Sequence, residues 1–270
     1  MVNREKFRSK YGPWALVTGA ARGMGAEFSR QLADIGLNLV MVDMLADELA
    51  ATASEIQTTR GIDVRTVTVD LSRTDFQDRI RPHTDDVEVG LMVSSAAHTP
   101  IGLFFEQSLE DKLRMVDVNI RAPLILVEEF GARMVARRRG GIILISSASA
   151  LQGVAYVASY AATKAYNLIL AESLWDELRG SGVDVLGFMP AATRTTGFIL
   201  SEPRLERARF ASVMEVKPTV REALASIGRS PSRIAGTRNR LTILLAGKLL
   251  PRKTLIRVIG NNMRGWYGKD

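Results

Sequence analysis

The sequence predicts an α/β fold, a single doubly wound domain whose central parallel sheet is flanked by helices. Three observations predict it. Short, almost wholly apolar runs alternate with longer segments of helical periodicity from Trp14 to Pro190, the pattern of strands covered on both faces and of their crossover helices. The first apolar run leads directly into a glycine-rich turn, Thr18-Gly19-Ala20-Ala21-Arg22-Gly23-Met24-Gly25, and a helical pattern follows at once. Gly36, Gly61, Gly140 and Gly182 stand near helix-to-strand transitions, where helices commonly end on glycine.

Taken in order, Trp14 to Thr18 reads as the first strand and Met24 to Ile35 as its crossover helix. Leu37 to Val42 is the second strand, Ala46 to Thr59 a helix, Val64 to Val69 the third strand and Thr74 to Arg81 a short helix. Gly90 to Val93 is the fourth strand, and a long helical pattern runs from about Gln107 to Arg138. Ile142 to Ser146 is the fifth strand, Ala158 to about Arg179 a further helix and Val183 to Phe188 the sixth strand. Right-handed crossovers turn this order into a doubly wound sheet, with ligands expected beyond the carboxyl ends of its strands. After Pro190 the regularity weakens, and a last strand is hard to place. Apolar clusters between residues 241 and 263 are broken by Lys248, Pro251, Arg252 and Lys253, too often to span a bilayer. No repeat or linker divides the chain before Pro190. Residues 1–270 therefore read as one domain, with a core over about 12–200 and a lid and basic extension over about 197–270.

Composition excludes several chemistries. With 46% hydrophobic and 24% charged residues the chain is far from the low-hydrophobicity signature of disorder. It has no cysteine, so disulfides, thiolate metal sites and cysteine nucleophiles drop out. With only His83 and His98, no metal site is expected. Arg4, Lys6, Arg8 and Lys10 precede no apolar run of signal-peptide length, and a cytoplasmic enzyme is expected. The net charge of +7 is uneven: residues 1–200 carry 21 Lys/Arg against 24 Asp/Glu, residues 201–270 carry 15 against 5. Such a segment suits nucleic acid, an anionic membrane surface or an acidic carrier. Its basic residues are interleaved with apolar ones, which equally describes a solvated surface. No nucleic-acid partner is expected, and peripheral membrane contact by the C-terminus stays open.

The turn at residues 18–25 is a candidate phosphate site. A strand-turn-helix junction aims backbone N–H groups and the positive end of a helix dipole at one point. Asp43, eighteen residues after Gly25 at the end of the second strand, can accept hydrogen bonds from adenosine ribose hydroxyls and would repel a 2′-phosphate, which favours NAD over NADP. Arg22 argues the other way, and NADP remains the alternative; Met44 adds no second positive charge.

Together with Ser147, Asn119 and the segment Tyr160-Ala161-Ala162-Thr163-Lys164, this turn resembles the short-chain dehydrogenase/reductase family over about residues 12–200. Thr18, Gly19, Gly23 and Gly25 match its T-G-x-x-x-G-x-G pattern, Tyr160 and Lys164 its Y-x-x-x-K, and Ser147 stands at the usual thirteen-residue spacing before the tyrosine. Asn119 matches the helix asparagine that completes the family's tetrad. The resemblance implies a Rossmann-type fold and catalysis by Asn119, Ser147, Tyr160 and Lys164. It implies cofactor contacts from Gly19, Ala21, Arg22, Gly23, Met24 and Gly25, from Asp43, Asp70, Leu71 and Ala96, and from Asn119, Tyr160, Lys164, Pro190, Thr193 and Thr195. Asp70 resembles the aspartate that contacts the adenine amino group, Thr195 the threonine that holds the nicotinamide carboxamide. Two departures accompany it. Ser94-Ser95-Ala96-Ala97 stands where the family has N-N-A-G, removing amides that brace the central strand, and Pro190-Ala191 stands where it has P-G.

Tyr160 and Lys164, four apart on a predicted helix, share one face. A tyrosine of pKa about 10 is a poor base at neutral pH, but a nearby ammonium stabilises its phenolate. Ser147 can donate a hydrogen bond to the substrate oxygen, and the resemblance gives Asn119 a water to hold for proton relay to Lys164. The expected reaction is reversible oxidation of a small-molecule secondary alcohol to a ketone, with an apolar, steroid-like or long-chain substrate covered by Phe198, Ile199, Leu200, Phe210 and Met214. Arg204, Arg207 and Arg209 would instead grip an acidic carrier, giving a 3-oxoacyl thioester reductase. A cofactor-binding regulator without turnover is a third reading, from the two departures. The resemblance further implies a homodimer or homotetramer through the helices at about 107–138 and 158–179.

Overall fold

The computed structural model describes residues 3–204 and 213–268. Its centre is Trp14–Thr18 (β1), buried at every position. Successive side chains of a strand face opposite ways. Ala15 and Val17 therefore join one apolar cluster, while Trp14 and Leu16 join another on the opposite face. Asn38–Asp43 (β2), Val64–Thr68 (β3), Val89–Ser94 (β4), Gly140–Ile145 (β5), Val183–Met189 (β6) and Ser232–Ile234 (β7) complete the sheet. Among the described residues its order is β3-β2-β1-β4-β5-β6-β7, parallel throughout. The order reverses between β1 and β4, and the crevice at their carboxyl ends is where such sheets bind ligands.

Arg4–Tyr11 (α1) precedes β1 and is tied down at its end, where the Tyr11 hydroxyl donates to Asp184 Oδ2 at 2.6 Å. Burial, and then the Asp184 carboxylate, raise the pKa of that phenol. Gly23–Ile35 (α2) and Ala46–Arg60 (α3) lie on one face of the sheet. Phe76–Ile80 (α4) is shorter than expected, because Pro82 tightens residues 81–83 into a 3₁₀ turn.

The predicted long helix at 107–138 is interrupted. Leu109–Val116 (α5) and Ala122–Ala136 (α6) are joined by a π turn over Asp117–Arg121. Pro123 has no N–H to give the turn before it, and such bulges recur at functional sites. β5 starts two residues earlier than its apolar run suggests. A Cβ on Gly141 would stand 2.8 Å from both the Tyr11 ring and Ile227, so glycine there lets other elements approach the strand.

Ala158–Glu177 (α7) crosses over to β6, and Thr196–Leu200 (α8) follows it. Beyond residue 213 the chain is more regular than its sequence suggests. Val216–Ser226 (α9) buries Val220, Ala223 and Leu224 in the core beside α2. β7 then pairs with β6 and supplies the last strand that the sequence does not reveal. Thr237–Leu249 (α10) and Arg252–Tyr267 (α11) close the fold. No helix among the described residues is long and apolar enough to cross a membrane.

Candidate active site

The glycine turn sits at the crevice because β1 ends there and α2 begins at once. Gly19, with φ +69°, lies so close to the next strand that a Cβ would stand 2.8 Å from the Ala96 backbone. A Cβ on Gly25 would overlap the carbonyl of Gly19. The Thr18 hydroxyl accepts from the N–H groups of Ser95 (3.1 Å) and Ala96 (3.2 Å), so the segment after β4 is braced despite the departure at 94–97.

No side chain caps the start of α2, where Arg22 is the N-cap. Uncapped N–H groups beside a glycine-lined surface fit a pyrophosphate. Gly23 faces Thr195 across this space, 3.5 Å from where its Cβ would stand. The structure thus brings Gly19, Gly23, Gly25, Ala96 and Thr195 to one place.

Other expected cofactor contacts are already committed. The Ala21 N–H donates to Asp43 Oδ2 at 2.9 Å, and the Leu45 N–H donates to Asp43 Oδ1 at 3.1 Å. Asp43 therefore pins the turn to the end of β2. Met24 packs partly buried against the core. Arg22 leans toward Glu48 at 3.8 Å. Leu71 is buried, leaving only its backbone to a ligand.

Asp70 accepts from the Ser72 N–H and hydroxyl at 2.9 and 2.8 Å and from Arg114 at 2.7 Å. Burial opposes its charge, yet these donors outweigh it and hold the carboxyl below its ordinary value. An adenine amino group would therefore compete with Arg114 for this carboxylate. The Pro190 carbonyl accepts from the Ala148 N–H, and the Thr193 hydroxyl donates to the carbonyl of Ala191. Thr195 caps α8, its hydroxyl accepting from the Phe198 N–H.

The proton-handling groups meet at the start of α7. The Ser146 hydroxyl, buried, donates to the Lys164 carbonyl at 2.7 Å and bolts α7 to the end of β5. That fastening sets Ser147 beside Tyr160. The Ser147 hydroxyl also accepts from the Ser149 N–H and hydroxyl. Lys164 is buried, with Nζ 5.6 Å from the Tyr160 ring centroid and donating to the Ile145 carbonyl at 2.8 Å. Burial pushes the Tyr160 phenol up to about 12, with Ser147 pulling the other way, and lowers Lys164 to about 8. Both shifts disfavour charge. Neither side chain is ionised merely by the other's presence.

Asn119 is held by a dense set of hydrogen bonds. On the π turn and fully buried, its amide accepts from the His98 N–H at 2.8 Å and donates to the His98 carbonyl (2.9 Å) and the Thr163 hydroxyl (3.1 Å). Its own carbonyl accepts from the Asn167 amide at 3.0 Å. Through these bonds Asn119 ties the segment after β4 to α7. Asn119→Ala is expected to cost about 2–3 kcal/mol from three lost hydrogen bonds, read as a lower melting temperature, while reducing turnover less than loss of Tyr160 does.

The apolar cover also departs from expectation. Ile199 and Leu200 are exposed, Phe198 packs on Trp266, and Met214 bridges Thr193 in a short backbone pairing. Arg207, Arg209 and Phe210 lie outside the described residues. Tyr160 instead packs on Val154, Val157 and Ala161, a cluster that Ile101 and, from α11, Ile259 and Met263 also cover. A cleft of about 810 Å³ adjoins it, bounded by Arg22, Ile101, Leu103, Tyr156, Leu200 and Tyr267. Tyr156, at φ +67°, accepts the Gly102 N–H on its carbonyl and sets this loop in place. The sequence signal for this cover was the i, i+4, i+8 row of Leu255, Ile259 and Met263.

The sequence profile of the short chain dehydrogenase family matches residues 13–203. The 7beta-hydroxysteroid dehydrogenase of Collinsella aerofaciens is 29% identical over 236 residues, 87% of this chain and 90% of that protein. A solved structure of a 7beta-hydroxysteroid dehydrogenase, 28% identical, superposes with a TM-score of 0.88 over 94% of this chain and 99% of that one. The very-long-chain 3-oxoacyl-CoA reductase of Laccaria bicolor is 32% identical over 233 residues, 84% of this chain and 67% of that protein. A short-chain dehydrogenase from Sphingobium yanoikuyae, solved in complex with NADPH, is 27% identical with a TM-score of 0.76, covering 91% of this chain and 96% of that one.

Proposed function

The chain belongs to the short-chain dehydrogenase family and is an NAD(P)-dependent oxidoreductase of hydroxyl and ketone groups, and from that premise we propose a bulky, apolar secondary alcohol or ketone as its substrate and NAD as its cofactor. The carrying observation is the apolar cluster in which Tyr160 sits, with Ile101, Val154, Val157, Ile259 and Met263 around it. A cleft of about 810 Å³ beside this cluster falls in the range that encloses a small organic ligand. The likeness to 7beta-hydroxysteroid dehydrogenases supports a steroid-like substrate. The second reading, a 3-oxoacyl thioester, is favoured by the likeness to the Laccaria bicolor enzyme and by Arg22 at the cleft.

When bound, the nicotinamide supplies or accepts the hydride. The glycine turn and the start of α2 would hold its pyrophosphate, and Thr195 its far end. In the reductive direction the Tyr160 phenol donates its proton to the substrate oxygen as negative charge develops there. Ser147 donates a second hydrogen bond to that oxygen and, its own lone pairs held by Ser149, stays oriented toward it. In the oxidative direction Tyr160 takes the proton back, and the Lys164 ammonium stabilises the phenolate so formed. Exposed Leu109, Leu113 and Val116 of α5 and Ile169 of α7 support a homo-oligomer assembled through these helices.

The NAD reading rests on Asp43, whose carboxylate is fixed at the end of β2 by two backbone N–H groups, and on Arg22 leaning toward Glu48. Initial rates with NAD and NADP against secondary alcohols graded from propan-2-ol to hydroxysteroids test the whole reading. Expected are a kcat/KM that climbs with substrate size and a preference for NAD of at least about tenfold. Asp43→Ala should erase that preference and lower stability by about 1–2 kcal/mol. Turnover confined to acyl thioesters, or a wild-type preference for NADP, would refute it.

A further inference from the structure

Helix α10 is held to the body of the protein through Ile243, which packs beside Leu168, Met189 and Ile234. At 100° per residue, Leu241 and Leu245 point away from Ile243, with Leu244 and Lys248 to one side and Arg238 and Leu249 to the other. The four leucines are 55, 55, 49 and 75% exposed in the order Leu241, Leu245, Leu244, Leu249, and no residue of α10 is buried. Four leucines on the outer face of a helix are an unpartnered apolar stripe.

The stretch of chain that carries this stripe has charges of one sign. From Thr237 to Tyr267 the chain has seven Arg and Lys and no Asp or Glu. Arg240 is paired with Glu222 at 3.0 Å. Arg238, Lys248, Arg252, Lys253 and Arg257 are exposed and make no ion pair among the described residues.

We propose that α10 and the start of α11 dock on an anionic membrane surface. The leucines enter the boundary between headgroups and acyl chains, and the flanking cations lie at the level of the lipid phosphates. Charge decides among possible occupants. A second copy of this face would press unpaired cations against unpaired cations, since a two-fold contact sets a patch against itself. Nucleic acid would satisfy the cations and leave the leucines in water. A lipid surface satisfies both, and a helix of 13 residues lies in that surface rather than crossing it.

The test is co-sedimentation of the full chain with vesicles of phosphatidylcholine alone and of phosphatidylcholine with phosphatidylglycerol. Binding to the anionic vesicles at low salt, lost at high salt, is expected. The double variants Leu241→Ser/Leu245→Ser and Lys248→Glu/Arg252→Glu should each lower the partition coefficient at least about tenfold, with turnover in solution unchanged. No binding to anionic vesicles overturns the proposal, and so does binding that both variants leave intact. A third overturning result is an oligomer that the leucine variant dissociates in the ultracentrifuge and that does not bind vesicles.

Discussion

Tyr160→Phe is expected to lower kcat about 10³-fold in both directions, while dinucleotide affinity stays within about twofold and the melting temperature within a few degrees. The ring survives the change, so its packing against Val154, Val157 and Ala161 is kept. What goes is the hydroxyl proposed to give its proton to the reacting oxygen. Stopped-flow binding and steady-state turnover separate the two effects. A variant that loses affinity and rate together would mean that Tyr160 shapes the site rather than supplying its proton.

The same residue sets a pH dependence. Burial holds the phenol near 12 and Lys164 near 8, so between pH 6 and 7 the phenol is protonated and the lysine mostly charged. Ketone reduction, which uses the phenol as an acid, should be flat there. Alcohol oxidation needs the phenolate and should rise with pH, and Lys164→Met should displace that rise to higher pH. Stability has its own sign. The folded value of Lys164 lies below its ordinary 10.5, so between pH 8 and 10.5 the unfolded chain binds more protons and the native state gains stability as pH rises. Melting curves of wild type and Lys164→Met should diverge in that window, with the wild type gaining. Parallel curves would show that burial leaves the lysine unshifted.

Gly25→Ala is expected to abolish dinucleotide binding, by at least about 100-fold, and to cost about 3 kcal/mol or more of stability. The added Cβ overlaps the Gly19 carbonyl, and both are backbone. No rotamer relieves that overlap, so α2 must back away from β1 and carry its first-turn N–H groups out of reach of the phosphates. Calorimetric titration and thermal melts read both losses. Gly61, by contrast, has open space where a Cβ would lie, and its replacement should leave binding untouched even though its φ of +63° makes Ala there mildly strained. Equal binding losses at the two positions would dismiss the steric account.

Five of the seven strands were legible because burial on both faces writes them as nearly continuous apolar runs, and edge strand β3, with its burial pattern broken by Arg65, Thr66 and Thr68, was legible from its β-branched residues. β7 was not, because it is three residues long and begins Ser232-Arg233, which no apolar run announces. Tyr160, Lys164 and Ser147 were legible as local spacings that a helix and a strand end convert into proximity. Asn119 shows the limit of spacing. Its place in the sequence marked it, but the groups that hold it, His98 and Thr163, are distant in sequence and near only in the fold. Arg114 on Asp70 and α11 over Tyr160 were illegible for the same reason. In α11 the inward row of Leu255, Ile259 and Met263 is interleaved with Arg257 and Arg264, and what such a row faces is settled by tertiary packing.

Helix α11 also has a consequence in time. Ribosomes deliver a chain from its amino end, so the phosphate turn, Ser147, Tyr160 and Lys164 emerge well before Ile259 and Met263. A nascent chain thus carries Ile101, Val154 and Val157 before Ile259 and Met263 arrive to complete the apolar cluster beside Tyr160. Mutations in the late helix can therefore retune what the enzyme accepts without revisiting the earlier two hundred residues that perform the transfer.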